Sequence, residues 1–180
     1  TVSVIASDNV DFATITGGTA YTVTAGGNLT FAQASTTDGN ILLNAGGDLT
    51  GGSALTADIN TNASGSDSLN IEAGGALTIN TARAQDSLTL TGSVIAAGTL
   101  ASDLASVLAN GTVSANVGTL NSRFNSTVNA GTVTLGDANI GGTLTINAIT
   151  TADGDVVITG DADVGGVVSL EATGDISLAA

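Results

Sequence analysis

Towards its C-terminal end the chain reads Gly136-Asp137-Ala138-Asn139-Ile140-Gly141-Gly142, and 24 residues later it reads Gly160-Asp161-Ala162-Asp163-Val164-Gly165-Gly166. Short strand-like runs flank both copies, such as Val133-Thr134-Leu135 before the first and Leu144-Thr145-Ile146 after it. One repeat unit therefore consists of a strand, a turn, a single apolar residue, a Gly-Gly pair and a second strand. A repeat of this length is typical of a solenoid, in which successive coils stack on one another.

The same register, extended over the whole chain, gives nine strand starts that are separated by 19 to 28 residues. Within each run the outer residues are apolar and the middle residue is usually Ser, Thr or Asn. This period of two indicates β-strands with one face inward. The starts are Val2, Tyr21, Ile41, Leu69, Leu88, Val113, Val133, Val156 and Ile176. The predicted core ladder consists of Val2, Val23, Ile41, Ile71, Leu88, Val133, Val156 and Ile176.

Five Gly-Gly pairs introduce a second column of strands. Tight coils need corners at which the backbone adopts positive φ or approaches its neighbour closely, and Gly does both at the lowest steric cost. We therefore expect the pairs to form one set of structural corners. These residues are Gly26, Gly27, Gly46, Gly47, Gly74, Gly75, Gly141, Gly142, Gly165 and Gly166.

Two segments depart from the repeat. The long step from Ile41 to Leu69 predicts an insertion around 51–67 that bulges from the stack. Between Thr99 and Asn110 the apolar residues recur at helical spacing and Gly111 follows as a stop signal, which is consistent with a short helical insertion. A distorted strand pair would also place these apolar residues inward, so both interpretations stay open.

The composition bounds the fold and its partners. Apolar residues make up 42% of the chain and aromatic residues only 2%, which favours a narrow core lined by aliphatic side chains. The formal charge of −14, from 16 acids and two cations, disfavours binding to nucleic acid and to anionic membrane surfaces, and no run is apolar enough to insert into a membrane.

The sequence predicts an all-β fold, a parallel β-helix or β-solenoid of about 8–9 coils of roughly 20–24 residues. We expect a single domain over residues 1–180 that is a segment of a longer repeat protein.

The chain offers little catalytic chemistry, because it contains no His and no Cys. Acidic turns are the remaining candidates, and their oxygen atoms suit Ca²⁺. The alternative interpretation is that these acids are solvated turn formers, and the sequence calls for no other cofactor. The weak candidates for Ca²⁺ are Asp137, Asp153, Asp155, Asp161 and Asp163.

The residues present bear on two further functions. Clustered acids occur in polysaccharide-binding or polysaccharide-degrading β-helix proteins, but only Arg83, Arg123 and Tyr21 are available to complete such a site. Thr-x-Thr pairs suggest an ice-binding solenoid, which requires the pairs to fall in one column. In the predicted register that column mixes Thr with Leu42 and Val157.

The segments Ala-Gly-Gly-Asp-Leu-Thr (45 to 50), Ala-Gly-Gly-Ala-Leu-Thr-Ile-Asn (73 to 80) and Asp-Val-Val-Ile-Thr-Gly-Asp-Ala-Asp-Val-Gly-Gly (155 to 166) resemble the filamentous haemagglutinin family of bacterial two-partner-secretion exoproteins. The resemblance implies a right-handed parallel β-helix that forms a non-enzymatic shaft of a secreted adhesin at the bacterial cell surface. It implies roles in attachment, filament formation or biofilm formation. The partners expected are further coils of the same protein or end-to-end self-association, and a host or neighbouring-cell surface or polysaccharide.

Overall fold

The computed structural model describes residues 2–56 and 67–179 of the 180-residue chain. Its regular structure consists of β-strands that pair in parallel, and no helix occurs within the described residues. The strands are β1 (Val2–Ala6), β2 (Val10–Gly17), β3 (Tyr21–Ala25), β4 (Leu29–Thr36), β5 (Ile41–Ala45), β6 (Leu49–Leu55), β7 (Leu69–Ala73), β8 (Leu77–Ala84), β9 (Leu88–Ser102), β10 (Val107–Ser122), β11 (Ser126–Ala130), β12 (Thr132–Ile140), β13 (Leu144–Ala148), β14 (Val156–Ile158), β15 (Ala162–Val164), β16 (Val168–Ala172) and β17 (Ile176–Leu178).

Face A begins each of nine coils. It is built from five-residue segments, each of which pairs in register with the segment of the next coil. In the buried coils the first, third and fifth residues point inward and the second and fourth point outward. Coils 1 to 9 are numbered by the first face A residue, which is in turn Val2, Tyr21, Ile41, Leu69, Leu88, Val107, Ser126, Leu144 and Val168.

Faces B and C complete each coil. Face B begins at the column Val10, Leu29, Leu49, Leu77, Ile95, Ala115, Val133, Val156 and Ile176. Face C covers 14–17, 33–36, 53–55, 81–84, 99–102, 119–122, 137–140 and 162–164. The pairing skips one residue between the two faces, for example Gly98 opposite Gly118, which marks a bend in the strand.

The core is a stack of mostly aliphatic side chains, one layer per coil. Val23, Leu43, Ile71 and Leu90 are fully buried on face A. Burial of each such side chain contributes about 1.5–3 kcal/mol. At the N-terminal end of the stack the Phe12 and Phe31 rings lie parallel with their centroids 5.4 Å apart.

The predicted parallel β-solenoid is confirmed. Val133, Val156 and Ile176 are vertical neighbours, as the repeat requires. The interior members of the predicted core ladder are at most 1% exposed: Val23, Ile41, Ile71, Leu88, Val133 and Val156. Val2 and Ile176 keep the ladder register but are 41% and 48% exposed, because a described coil covers each of them on one side only.

Of the two interpretations left open for residues 99–110, the short helix is wrong and the strand pair is the better description. Leu100 lies inside β9, residues 103–106 form a turn, and Val107 begins β10. The apolar residues recur at helical spacing because a strand end and a strand start face the same core across a short turn. No insertion is present there, since Leu88 pairs with Val107 only 19 residues later.

The single predicted column of strand starts is also wrong between Leu88 and Val133. Val107, and not Val113, lies beside Leu88, and Val133 belongs to face B. The ladder predicted from sequence therefore crosses from face A to face B. The slip arose because both faces show the same alternation of apolar and polar residues, so periodicity alone does not distinguish them.

The insertion predicted around 51–67 is wrong for its first residues. Residues 51–55 form the second part of β6 and pair in register with β4 and β8. Thr56 still hydrogen-bonds to the neighbouring coil through Arg83. The remainder of the predicted insertion, 57–66, lies outside the described residues.

Candidate functional surfaces

The Gly-Gly pairs occupy two different edges of the stack, which corrects the single set of corners expected. The pairs at 26–27, 46–47 and 74–75 lie at the first corner, between face A and face B. Those at 141–142 and 165–166 lie at the second corner, between face C and the next coil. The register predicted from the sequence is shifted by half a coil between these two sets of pairs. It therefore assigned all five pairs to one column.

Close approach, and not positive φ, explains the glycines of the first corner. Gly39 is the only glycine with positive φ among the described residues. A Cβ on Gly46 would come within 3.0 Å of the Gly26 carbonyl oxygen, and a Cβ on Gly74 would do the same to Gly46. The Gly46 and Gly74 amides each donate to the coil below at 2.9 Å. Successive corners therefore stack directly, backbone on backbone.

A row of Asn and Asp side chains ties each first corner to the next. Asn9 Oδ1 accepts the Asn28 N–H at 2.8 Å, Asn28 Oδ1 accepts the Asp48 N–H at 2.9 Å, and Asp48 Oδ1 accepts the Ala76 N–H at 2.8 Å. Each residue immediately precedes a face B strand. The amides that would otherwise lie unpaired at the corner are thus satisfied by the coil below.

The same contact recurs at the second corner and further along the first. Asn125 Oδ1 accepts the Thr143 N–H at the second corner, and Asp155 Oδ1 accepts the Asp175 N–H at the first. Sequence analysis missed this role. The signal was present as an Asn or Asp directly before a strand start, but it is visible only once the register is known.

The five acids proposed for Ca²⁺ are divided between two places. Asp153 and Asp155 lie at the first corner, whereas Asp137, Asp161 and Asp163 lie on face C. Asp137 Oδ1 accepts the Asp161 N–H at 3.2 Å, so this pair is joined through one carboxylate and one backbone amide. Within residues 2–56 and 67–179 no group of three or more acidic side chains could hold a metal ion.

An asparagine ladder runs along face A. Asn129 Nδ2 donates to Asn110 Oδ1 at 2.8 Å, and Asn147 Nδ2 donates to Asn129 Oδ1 at 2.8 Å. One coil separates successive members, because the three residues pair in register. The correct register was needed to find this ladder, since the predicted one placed Asn110 at the end of the possible helical insertion and outside the column of strands.

Both cations of the chain lie near the second corner. Arg83 forms a bidentate ion pair with Asp103, with Nη2 2.7 Å from Oδ2. Arg123, two coils further on, has its guanidinium carbon 6.0 Å from the centre of the Phe124 ring. Both arginines are on the surface, so these contacts stabilise the protein only modestly.

The extended loop after β13 reaches over several coils. The Thr150 hydroxyl donates to the Thr112 carbonyl at 2.9 Å, and the Thr151 hydroxyl donates to the Gly131 carbonyl at 3.3 Å. Thr173, in the next coil, donates to the Thr151 carbonyl at 2.7 Å. The additional residues of this coil therefore connect it by hydrogen bonds to three other coils along the first corner.

Tyr21, which sequence analysis considered for polysaccharide binding, is part of the core. It is 1% exposed, and its hydroxyl has no hydrogen-bond partner among the described residues. Burial raises the pKa of Tyr21 well above its ordinary value, because the phenolate would be poorly solvated. The residue does not face a solvent-accessible surface.

A shallow depression of about 260 Å³ lies at the bend between faces B and C. Its lining includes Thr78, Asn80, Gly98 and Asn116, and none of its lining residues is acidic or aromatic. This depression therefore does not coincide with the acids that were considered for polysaccharide chemistry.

Comparison of the chain with protein families, with curated proteins and with solved structures finds no match. No helix in the part of the chain that the structure describes is long and apolar enough to cross a membrane.

Proposed function

We propose that this chain is a non-enzymatic structural segment of the shaft of a secreted bacterial surface fibre or adhesin. Its role would be attachment to a surface, or formation of a filament or biofilm. The observation that carries the proposal is the use of the Asn and Asp side chains at the corners. Their amide and carboxylate oxygens accept backbone N–H groups of the next coil. The side chains best suited to binding or catalysis therefore connect successive coils.

The dimensions support a role as a spacer. Nine coils stacked at the usual spacing of about 4.8 Å give a rod about 40 Å long. Each interior coil is hydrogen-bonded to two neighbours along its length, which favours a stiff rod. A net charge of −14 keeps such a rod soluble outside the cell and repels nucleic acid.

Immunogold electron microscopy tests this proposal on the cells that produce the protein. An antibody raised against this chain is applied to intact cells, and cells from which the coding region has been deleted serve as the control. We expect gold particles on extracellular filaments. Label confined to the cytoplasm of permeabilised cells would contradict the proposal.

Polysaccharide turnover, Ca²⁺ binding and ice binding each have a direct assay. Turnover of an acidic polysaccharide that is lost in Asp161→Asn or Asp163→Asn would establish an enzyme in place of a shaft. Heat evolved on titration with Ca²⁺ would establish a metal site, and thermal hysteresis would establish ice binding. We expect none of these signals.

A further inference from the structure

Face A carries almost none of the negative charge of the molecule. Of the acids in the described residues, only Glu72 and Glu171 point outward from this face. The remaining described acids lie at the corners and on faces B and C. The outward residues of face A form two columns, Ser3, Thr22, Leu42, Asn70, Thr89, Leu108, Thr127, Thr145 and Ser169, and Ile5, Thr24, Asn44, Glu72, Thr91, Asn110, Asn129, Asn147 and Glu171.

We infer that face A is a self-association surface through which two copies of this chain pack side by side in antiparallel orientation. Two copies with a formal charge of −14 each repel one another at most orientations. The repulsion is smallest where carboxylates are few. Faces A and B both meet this condition, since Asp11 is the only acid that points outward from face B among the described residues. Face A differs in having outward leucines, Leu42 and Leu108, on two of its coils. The inference does not depend on the proposed function, since it uses only the geometry and charge of face A.

A two-fold axis that lies in the contact plane, parallel to the strands and between coils 4 and 5, gives a self-complementary contact. Coil 3 of one copy then faces coil 6 of the other, which places Leu42 against Leu108, the two outward leucines of this face. The same operation places Glu72 opposite Thr91, so the two copies of Glu72 do not face each other. An isologous contact of this type closes at the dimer.

Apart from Ile5, the remaining outward residues of the overlapping coils are polar and suit a polar contact around these leucines. Asn44 of one copy faces Asn110 of the other, and amide side chains both donate and accept hydrogen bonds. The ladder through Asn129 and Asn147 fixes the orientation of the Asn110 amide before contact, which lowers the entropy lost on association.

The area is sufficient for a specific dimer. Eight overlapping coils at about 4.8 Å and a strand width of about 16 Å give about 1,200 Å² buried in total. Stable protein interfaces begin at about this size.

Sedimentation velocity of the full chain at physiological salt tests the inference. We expect the wild type to sediment as a dimer and Leu108→Glu to sediment as a monomer, since the substitution places a carboxylate at the centre of the contact. Asn116→Glu is the matched control, because Asn116 holds the second position of the face B strand in the same coil. We expect the control to remain dimeric. A wild type that is monomeric at every concentration, or a control that dissociates as Leu108→Glu does, would overturn the inference.

Cysteine cross-linking tests the orientation, because the chain contains no native Cys. A mixture of Leu42→Cys and Leu108→Cys proteins should form a mixed disulfide on oxidation, and each variant alone should cross-link far less. Equal cross-linking of either single variant with itself would exclude the antiparallel arrangement. Circular dichroism that matches the wild type shows that each variant is folded.

Discussion

Tyr21 shows how a single polar atom affects a dry core. Its hydroxyl is buried without a partner within residues 2–56 and 67–179, so folding leaves the cost of its dehydration uncompensated. We expect Tyr21→Phe to raise the free energy of unfolding by about 1 kcal/mol. Urea denaturation followed by circular dichroism measures this change. A variant that is clearly less stable than the wild type would show that the hydroxyl has a partner.

The same residue predicts the alkaline behaviour of the protein. Burial raises the pKa of Tyr21, so the unfolded chain releases its phenolic proton at lower pH than the folded chain. The stability is fully present below the unfolded pKa of about 10 and is lost as the pH rises above it. Tyrosinate absorbance should therefore increase together with unfolding, because Tyr21 is the only Tyr. Tyr21→Phe should weaken this alkaline loss of stability, and an absorbance change in the fully folded protein would contradict the account.

Gly46 and Gly18 allow the effect of close backbone packing to be measured apart from the conformational preference of glycine. A Cβ at Gly46 would collide with the Gly26 carbonyl, whereas a Cβ at Gly18 would meet no atom within 4 Å. We expect Gly46→Ala to lower the free energy of unfolding by roughly 2 kcal/mol, because the stacked backbones must separate. Gly18→Ala is the matched control and should change it by less than about 1 kcal/mol. Equal losses for the two variants would show that packing between corners is not what requires glycine.

At the scale of the strand, the asparagine ladder is a unit that joins three coils. Asn129 is its centre, because it donates to Asn110 and accepts from Asn147. We expect Asn129→Ala to lower the free energy of unfolding by about 1–2 kcal/mol, since two hydrogen bonds are lost. Asn70, also outward on face A, is the control for loss of an amide outside this ladder. If Asn70→Ala destabilises the chain as much, the ladder has no special role.

The sequence was sufficient to predict strands, coils and parallel stacking, because each depends on local alternation and on repeat length. Val133, Val156 and Ile176 illustrate this success. The pairing of Leu88 with Val107 could not be predicted in the same way, since faces A and B share the same apolar pattern and neither residue follows a Gly-Gly pair. The Asn and Asp contacts were missed for the same reason, because they depend on which corner lies above which.

At the scale of the whole molecule, charge opposes the compact state. The chain has 16 acids and two cations, and in the part that the structure describes one ion pair joins Arg83 to Asp103. Added salt screens repulsion between the carboxylates. We expect the melting temperature to rise as NaCl is increased from low to physiological concentration. A melting temperature that falls with salt would indicate that ion pairs dominate over repulsion.

The central claim is the order in which the coils stack, and in particular that Thr91 lies beside Asn110 on face A. The most direct test is disulfide formation within one chain that carries Thr91→Cys and Asn110→Cys. Neighbouring residues of parallel strands lie within the range of a disulfide, so we expect rapid and nearly complete oxidation of the monomer. The pair Thr91→Cys and Asn116→Cys corresponds to the register that places Leu88 beside Val113. Oxidation of that pair in preference to the first would contradict the structure described.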